Sequence, residues 1–391
     1  MGEAGAATES GGEWQAGARL ALDALAMKPA RGIPSWMIHL MDAADLEHFA
    51  GRAPGDYRRD VEGVYLDFQR RIGTCFIDQY IPDNPLSMTA GGLGPDAARG
   101  PTTGAPEAVL DGMPIRSPED VVAHLERHVF PRLEREAAAC DPADAAARAA
   151  LVEGERAVQR RFSPGLLKVP YAGGFGAMPC LRYYEYGYAN YFMAFALWPE
   201  VMERDFALQA DLAARTNALA ARAILDGGLP RVVRLDHDMA DSRGTLVDVR
   251  ALDRLWFPHF ARSIAPLLEA GVRLLWHCDG NLMAMVPRLL EAGVGGFQGF
   301  QYEDGMDYAR ICRMTDRAGG PLMIWAGVSV TRTLPRGTPA DVAAELAWLV
   351  RHGPPVGLCL GASSSVLPGV PRENLRALFD GLRHYREGGR P

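Results

Sequence analysis

Short, nearly continuous apolar runs alternate along the chain with longer stretches of helical periodicity. A short apolar run bounded by turn-forming residues reads as a strand covered on both faces. An apolar residue at every third or fourth position reads as a helix packed on one side. Eight runs of the first kind occur, at residues 35–40, 73–80, 167–172, 231–239, 273–280, 296–301, 321–329 and 356–363. Between them lie amphipathic stretches at 44–70, 121–139, 198–225, 253–270, 282–292 and 339–352. This alternation predicts an α/β fold with a parallel sheet, and eight strands predict a closed (β/α)8 TIM barrel. The barrel is expected as a single domain over 17–388 with an N-terminal helical extension.

Local signals fix several element ends. Ser117-Pro118-Glu119-Asp120 and Thr338-Pro339-Ala340-Asp341 each place a capping hydroxyl before a proline and an acid in the first helical turn. Gly293 follows an apolar helix pattern and supplies a C-terminal stop. The stretch 89–103 is rich in glycine and proline and breaks the alternation. Such a long loop is either a lid over a site or a solvated insertion. Residues 1–16 are small and acidic and are expected to be a disordered tail.

Composition narrows the class. The chain has 391 residues, 48% of them hydrophobic, enough for one large core. Its formal net charge is -7, its only lysines are Lys28 and Lys168, and its arginines are scattered. The absence of a basic stripe speaks against nucleic acid as a partner. Six cysteines without a CxxC pair make neither a disulfide framework nor a zinc-finger spacing. With no secretory signal and no apolar run near the roughly 20 residues that span a bilayer, a soluble cytoplasmic protein is expected.

In a barrel the chemistry gathers at the C-terminal ends of the strands, and the polar residues here follow that geometry. The first run ends in His39 and Asp42, the second in Asp78-Gln79-Tyr80, and the third in Tyr171 and two glycines. The fourth ends in Asp236-His237-Asp238, the fifth in His277-Cys278-Asp279-Gly280, and the sixth in Gln298, Gln301, Tyr302 and Glu303. The eighth closes on Ser363-Ser364-Ser365. So many polar endings at one end predict an active-site rim.

Strand side chains alternate, so His277 and Asp279 should point one way and Cys278 the other. An imidazole and a carboxylate so spaced can ligate zinc or form an acid and base pair, and they can also simply satisfy each other. Asp236 and Asp238 share a face in the same way and can hold a cationic or hydrogen-bond-donating substrate. Arg243 either neutralises one of them, binds an anionic group or lies on the surface. The aromatic block Tyr183-Tyr184-Glu185-Tyr186-Gly187-Tyr188 packs the shoulder of the barrel or lends a phenol to a pocket.

The order of several motifs over 34–386 carries a family resemblance. Pro34-Ser35-Trp36-Met37 opens it, followed by Gly73 with Phe76-Ile77-Asp78, then Glu107 with Val109-Leu110-Asp111-Gly112 and Pro114-Ile115. Asp238 and His277-Cys278-Asp279-Gly280-Asn281 come next, then Ile324-Trp325-Ala326-Gly327-Val328 and Leu334-Pro335-Arg336-Gly337-Thr338. Leu367-Pro368-Gly369-Val370-Pro371-Arg372-Glu373-Asn374 ends the series. This order resembles the uroporphyrinogen decarboxylase superfamily, which includes decarboxylases and methyltransferases that move methyl groups to or from corrinoid proteins.

The departures from the family pattern bear on function. Decarboxylases carry Arg-Gln-Ala-Gly-Arg after the first strand, where this chain has Ile38-His39-Leu40-Met41-Asp42. Both substrate-anchoring arginines are missing, which counts against a porphyrinogen substrate. The resemblance places the family's substrate-facing aspartate at Asp78 or Gln79, its tyrosine at Tyr183, and its late histidine at Ser364. The methyltransferase branch binds zinc through His-x-Cys and a later cysteine. Here the pair is His277 and Asp279, the third position is Ser364, and Cys359 lies earlier in the strand. A zinc site would thus use His277, Asp279 and a further ligand from His39, His237, Asp238 or Glu303.

The expectation that follows is a methyltransferase-like enzyme acting on a small polar metabolite, with His277, Asp279 and Asp238 as catalytic residues. His39, Asp78, Gln79, Tyr183, His237, Arg243, Gln298, Gln301, Glu303 and Ser364 are the expected substrate-binding set. The resemblance implies zinc, a corrinoid (cobalamin-type) group carried by a partner protein, and a homodimer. Two other readings stay open. In one, a metal-free decarboxylase or lyase uses Asp78 or Asp238 to stabilise a developing cation and His277 to move a proton. In the other, a barrel without catalysis only binds its ligand.

Overall fold

Seven of the eight apolar runs carry a parallel strand in the computed structural model, which describes residues 14–89, 92–93 and 108–390. They are β1 (Phe76–Ile77), β2 (Leu167–Lys168), β3 (Val232–Asp236), β4 (Arg273–His277), β5 (Gly296–Gln298), β6 (Met323–Val328) and β7 (Leu358–Ala362). The last five form one continuous sheet in the order β7-β6-β5-β4-β3, and β1 pairs with β2. Intervening helices give the mixed α/β architecture that the alternation of patterns predicts.

The continuous eight-stranded ladder is not present among the described residues. Instead single parallel bridges join the pieces: Ser35 to Leu360 of β7, Trp36 to Phe76 of β1, and Tyr171, just past β2, to Arg234 of β3. Prolines stand at these breaks. Pro34 precedes the first run and Pro170 follows β2, and neither has an N–H with which to extend a ladder.

The helical stretches break where the backbone demands it. The stretch 44–70 becomes Ala43–Ala50, Asp56–Arg59 and Val61–Ile72, because Gly51 ends the first helix at φ 68° and Asp60 leaves helical geometry to cap the third through the Gly63 N–H. The stretch 121–139 contains a π-helical turn, Leu125–Val129, just before Pro131, which relieves the proline's missing donor. Ser117 and Thr338 each form the reciprocal cap with the acid three residues on. Gly293 ends Val286–Ala292 at φ 116°.

Alternation along β4 divides the core. Trp276 faces outward against the rings of Trp256 and Phe260, at 5.9 and 5.4 Å, while Leu275 packs inward with Phe76, Met323, Trp325 and Cys359. Burying a side chain of the size of Leu275 is worth roughly 1.5–3 kcal/mol. Helix Ala16–Leu25, the expected extension, buries Ala18, Ala21, Ala24 and Leu25 in that inner cluster. The tail expected over 1–16 and the loop expected over 89–103 lie mostly outside the described residues. All six cysteines are free thiols, and no helix among the described residues is long and apolar enough to cross a membrane.

Register then builds the floor of a site. Asp236 pairs with His277, His277 with Gln298, Gln298 with Trp325, and Trp325 with Cys359. Laterally paired residues of a parallel sheet project to the same face. Five side chains from five strands therefore stand in one row, which meets β3, β4 and β5 at their carboxyl ends and β6 and β7 nearer their middles.

Candidate functional site

Three ligand-type atoms converge above that row. Asp238, His277 and Asp279 each offer one, and all lie within 4.8 Å of one another. His277 Nε2 is 4.0 Å from an oxygen of Asp279 and 4.0 Å from an oxygen of Asp236. The other ring nitrogen, Nδ1, donates to the carbonyl of Gln298 at 3.3 Å. A carbonyl only accepts, so Nδ1 carries a proton and Nε2 is the nitrogen turned toward the carboxylates.

The two loops that carry Asp238 and Asp279 are tied together by the main chain. The Asp279 N–H donates to Asp238 Oδ1 at 2.8 Å, and the Asn281 N–H donates to the Asp241 carbonyl at 2.8 Å. Gly280 sits between them at φ 87°, where a Cβ would meet the Asp241 carbonyl at 2.6 Å. Only glycine meets both demands without strain. Gln301 finishes the turn by accepting the Gly280 N–H at 2.6 Å.

Side chains around the cluster aim its carboxylates. Tyr184 donates to Asp238 Oδ2 at 3.3 Å, and Tyr183 donates to the Asp238 carbonyl at 2.7 Å. Ser364 donates to Asp279 Oδ2 at 3.3 Å. Asp279 Oδ1 is buried without a partner, and burial pushes this carboxyl above its ordinary range, with Asp238 adding to the push. An orphaned anionic oxygen in such a place calls for a cation or a donor.

Beneath lies a buried network around Arg234, which is 2% exposed. Its Nε donates to Asp78 at 2.7 Å, Nη1 to Asp236 at 2.8 Å, and Nη2 to Gln79 at 2.9 Å. Asp78 also accepts from the Trp36 indole at 3.2 Å and the Gln79 N–H at 2.9 Å. Tyr171 donates to Asp236 at 2.9 Å. Burial alone would raise the Asp236 carboxyl, but His277, Arg234 and Tyr171 together hold it below the usual carboxylate range. Asp78, Gln79 and Tyr171 also line a cavity of about 390 Å3 that reaches the Glu155–Lys168 ion pair.

The expected site residues fall into distinct places. His277, Asp279, Asp238, Ser364 and Gln298 come together, and Gln298 Oε1 is buried without a partner. His39 stacks on Trp36 and keeps Nε2 shielded and unpartnered. Burial lowers its pKa to about 4. Asp78 and Gln79 are bound to Arg234, Tyr183 supports the Asp238 backbone, and Gln301 supports Gly280.

His237 points away from the cluster, as the alternation predicts. It stacks on Tyr183 and accepts the Leu181 N–H through Nε2 at 2.9 Å, and burial lowers its pKa to about 4. Cys278 likewise faces away and accepts the Met239 N–H. Glu303 sits farther along the rim, accepting from Ser329 and Thr331. Arg243 is exposed and paired with Asp241 at 2.8 Å, because the hairpin turn keeps both on the surface. It takes no part in the cluster.

Two residues escaped the sequence reading. Arg234 stands two positions before Asp236, so strict alternation along β3 already put it on the inward face. Glu345, in helix Pro339–His352, accepts the Ser329 N–H at 2.6 Å and the Tyr302 hydroxyl. Burial raises its pKa to about 7. Nothing in its amphipathic surroundings marks Glu345 as different from a solvated helix acid.

No family model and no curated protein matches this chain. Among solved structures it is similar to a methyltransferase from Methanosarcina mazei, with a TM-score of 0.57 over 95% of this chain and 99% of that one. The identity is 14%, so the likeness is one of fold.

Proposed function

We propose that this chain is a methyltransferase-like enzyme acting on a small polar metabolite with the aid of a divalent metal ion held by Asp238, His277 and Asp279. In this reading the parallel strands and their single bridges make a (β/α)8 barrel with the cluster at its carboxyl-end mouth. The observation that carries the proposal is the convergence of three ligand atoms, one of them a buried oxygen without a partner. The fold likeness to a methyltransferase adds weight to the reaction class alone.

The donor set suits such an ion. One imidazole and two carboxylates offer nitrogen and oxygen without thiolate, a set compatible with zinc, iron or manganese. When bound, the ion would act as a Lewis acid that lowers the pKa of a ligated thiol, hydroxyl or water. The chain's own residues do the rest. The Gln298 carbonyl fixes the His277 tautomer, Tyr184 and the Asp279 N–H orient Asp238, and Ser364 turns Asp279 so that Oδ1 stays free. Asp236, held anionic by Arg234 and Tyr171, stands next to His277 and can take up a proton released there. A corrinoid protein docking over the rim is the proposed methyl carrier.

The metal-free decarboxylase reading is weaker. Of the two carboxylates it offers to a developing cation, Asp78 has both oxygens committed to Arg234, Trp36 and the Gln79 N–H, which leaves Asp238 alone for that role.

Elemental mass spectrometry on tag-free protein tests the proposal. One divalent ion per chain is expected, lost in both His277→Ala and Asp279→Asn. A metal-free native protein, or a metal retained in both variants, overturns it.

A further inference from the structure

Four carboxyl groups, Asp78, Asp236, Asp238 and Asp279, surround the cluster and its floor, and Arg234 contacts two of them, Asp78 and Asp236. All three of its guanidinium nitrogens are committed to Asp78, Asp236 and Gln79, and its plane lies over the rings of Trp36 and Tyr171 at 5.4 and 4.9 Å. The guanidinium is thus spent inside the protein and is not offered to an anionic ligand. One guanidinium shared by two of four carboxyl groups leaves this place electronegative and open to a cation. In a half-buried place of this kind an entering cation is favoured over an anion.

A second observation shows what kind of group is missing. Gln298 is 1% exposed, and its amide nitrogen donates to the Ser363 carbonyl at 3.3 Å. Its Oε1 is buried with no partner. An amide oxygen can only accept, so the absent partner is a donor. Register puts this side chain beside His277 and on the same face as Asp236. Asp236 gives Oδ2 to Tyr171 and Arg234, which leaves Oδ1 on the His277 side. A carboxylate entering here would meet acceptors, whereas a protonated amine brings both the missing charge and the missing N–H.

We infer that the substrate is a protonated amine whose ammonium group sits between Asp236 Oδ1 and Gln298 Oε1. This rests on the reading of the cluster as the reaction centre.

The test uses the full chain loaded with zinc, with metal content counted in the same sample. Saturation-transfer NMR titrations compare methyl-, ethyl- and propylammonium with the alcohols and carboxylates of matching length. At least one ammonium ion is expected to bind about tenfold tighter or more than its alcohol, the scale of a charge-assisted hydrogen bond, with the carboxylates weakest. Gln298→Leu, near in size and free of the orphaned oxygen, should fold and lose that preference. Asp236→Asn is the second probe, should the leucine variant unfold.

Alcohols binding as well as ammonium ions, carboxylates binding better, or a preference that survives both substitutions overturns the inference. The outcomes separate the two readings. Metal bound without an ammonium preference refutes the amine alone, and an ammonium preference in a protein that takes no metal refutes the metal-assisted reaction alone.

Discussion

The main-chain N–H of Asp279 donates to the carboxylate of Asp238 at 2.8 Å, so one proposed metal ligand is aimed by the backbone of another. Loss of the Asp238 carboxylate therefore removes a ligand and also frees the N–H that shapes its neighbour's loop. Asp238→Ala is expected to lose metal affinity by more than Tyr184→Phe, which removes only the phenol that steadies the carboxylate and should cost about tenfold. Competition with a chromophoric chelator measures both. Equal affinity in the two variants would count against Asp238 as a ligand.

Arg234 joins Asp78, Asp236 and Gln79 in a buried network. Arg234→Met keeps the bulk and removes the charge, leaving two carboxylates uncompensated. Removing one partner of a buried ion pair costs about 3–5 kcal/mol. Denaturant unfolding should show a loss of that order, partly restored by adding Asp78→Asn. A loss below about 1 kcal/mol, the scale of a surface pair, would mean that the network is solvated.

How much of this the sequence discloses depends on how local each signal is. The caps at Ser117 and Thr338 and the inward pairing of His277 with Asp279 follow from spacing within a few residues, and each is present. The breaks at Pro34 and Pro170 were equally visible as residues, yet their effect on the ladder depends on which strand lies beside them, which no local pattern states. The same limit hid Glu345, whose raised proton affinity comes from burial by other elements and outweighs the opposing hydrogen bond from the Ser329 N–H. His237 and Gln301 looked free as strand-end polar residues, but their partners, the N–H groups of Leu181 and Gly280, are supplied by distant loops.

His237 accepts the Leu181 N–H and so must stay neutral at Nε2. Its pKa, near 6.5 in the unfolded chain, falls to about 4 in the folded one. The folded state therefore binds fewer protons within that window. This contribution to stability is complete above pH 6.5 and is lost as pH falls through 4, with a size on the order of 3 kcal/mol. His237→Gln keeps a carbonyl acceptor and does not titrate. Its unfolding free energy should fall less steeply than that of the native chain over this range, and parallel curves would refute the assignment.

Glu345 shifts the other way, from 4.5 to about 7 on folding. Here the folded state binds more protons, so stability falls as pH rises from about 4.5 to 7 and levels off beyond. Glu345→Gln should gain thermal stability relative to the native chain at pH 8 and show little difference near pH 4. Melting temperatures at the two pH values suffice to see it. A gain of the same size at both would place the effect in packing and not in the proton.

Position 299 bears on how such a site can change over time. Gly299 has a φ of 72°, and a Cβ there would meet His277 Nδ1 at 2.7 Å and the Ser363 carbonyl at 2.9 Å. The imidazole is thus fenced by bare main chain from a neighbouring strand, with no side chain between to drift. Gln298, one residue earlier, can be exchanged to retune which molecules are accepted. Gly299 can accept no such exchange without dislodging the ring, so adaptation to a new substrate has its freedom and its fixed point on adjacent residues.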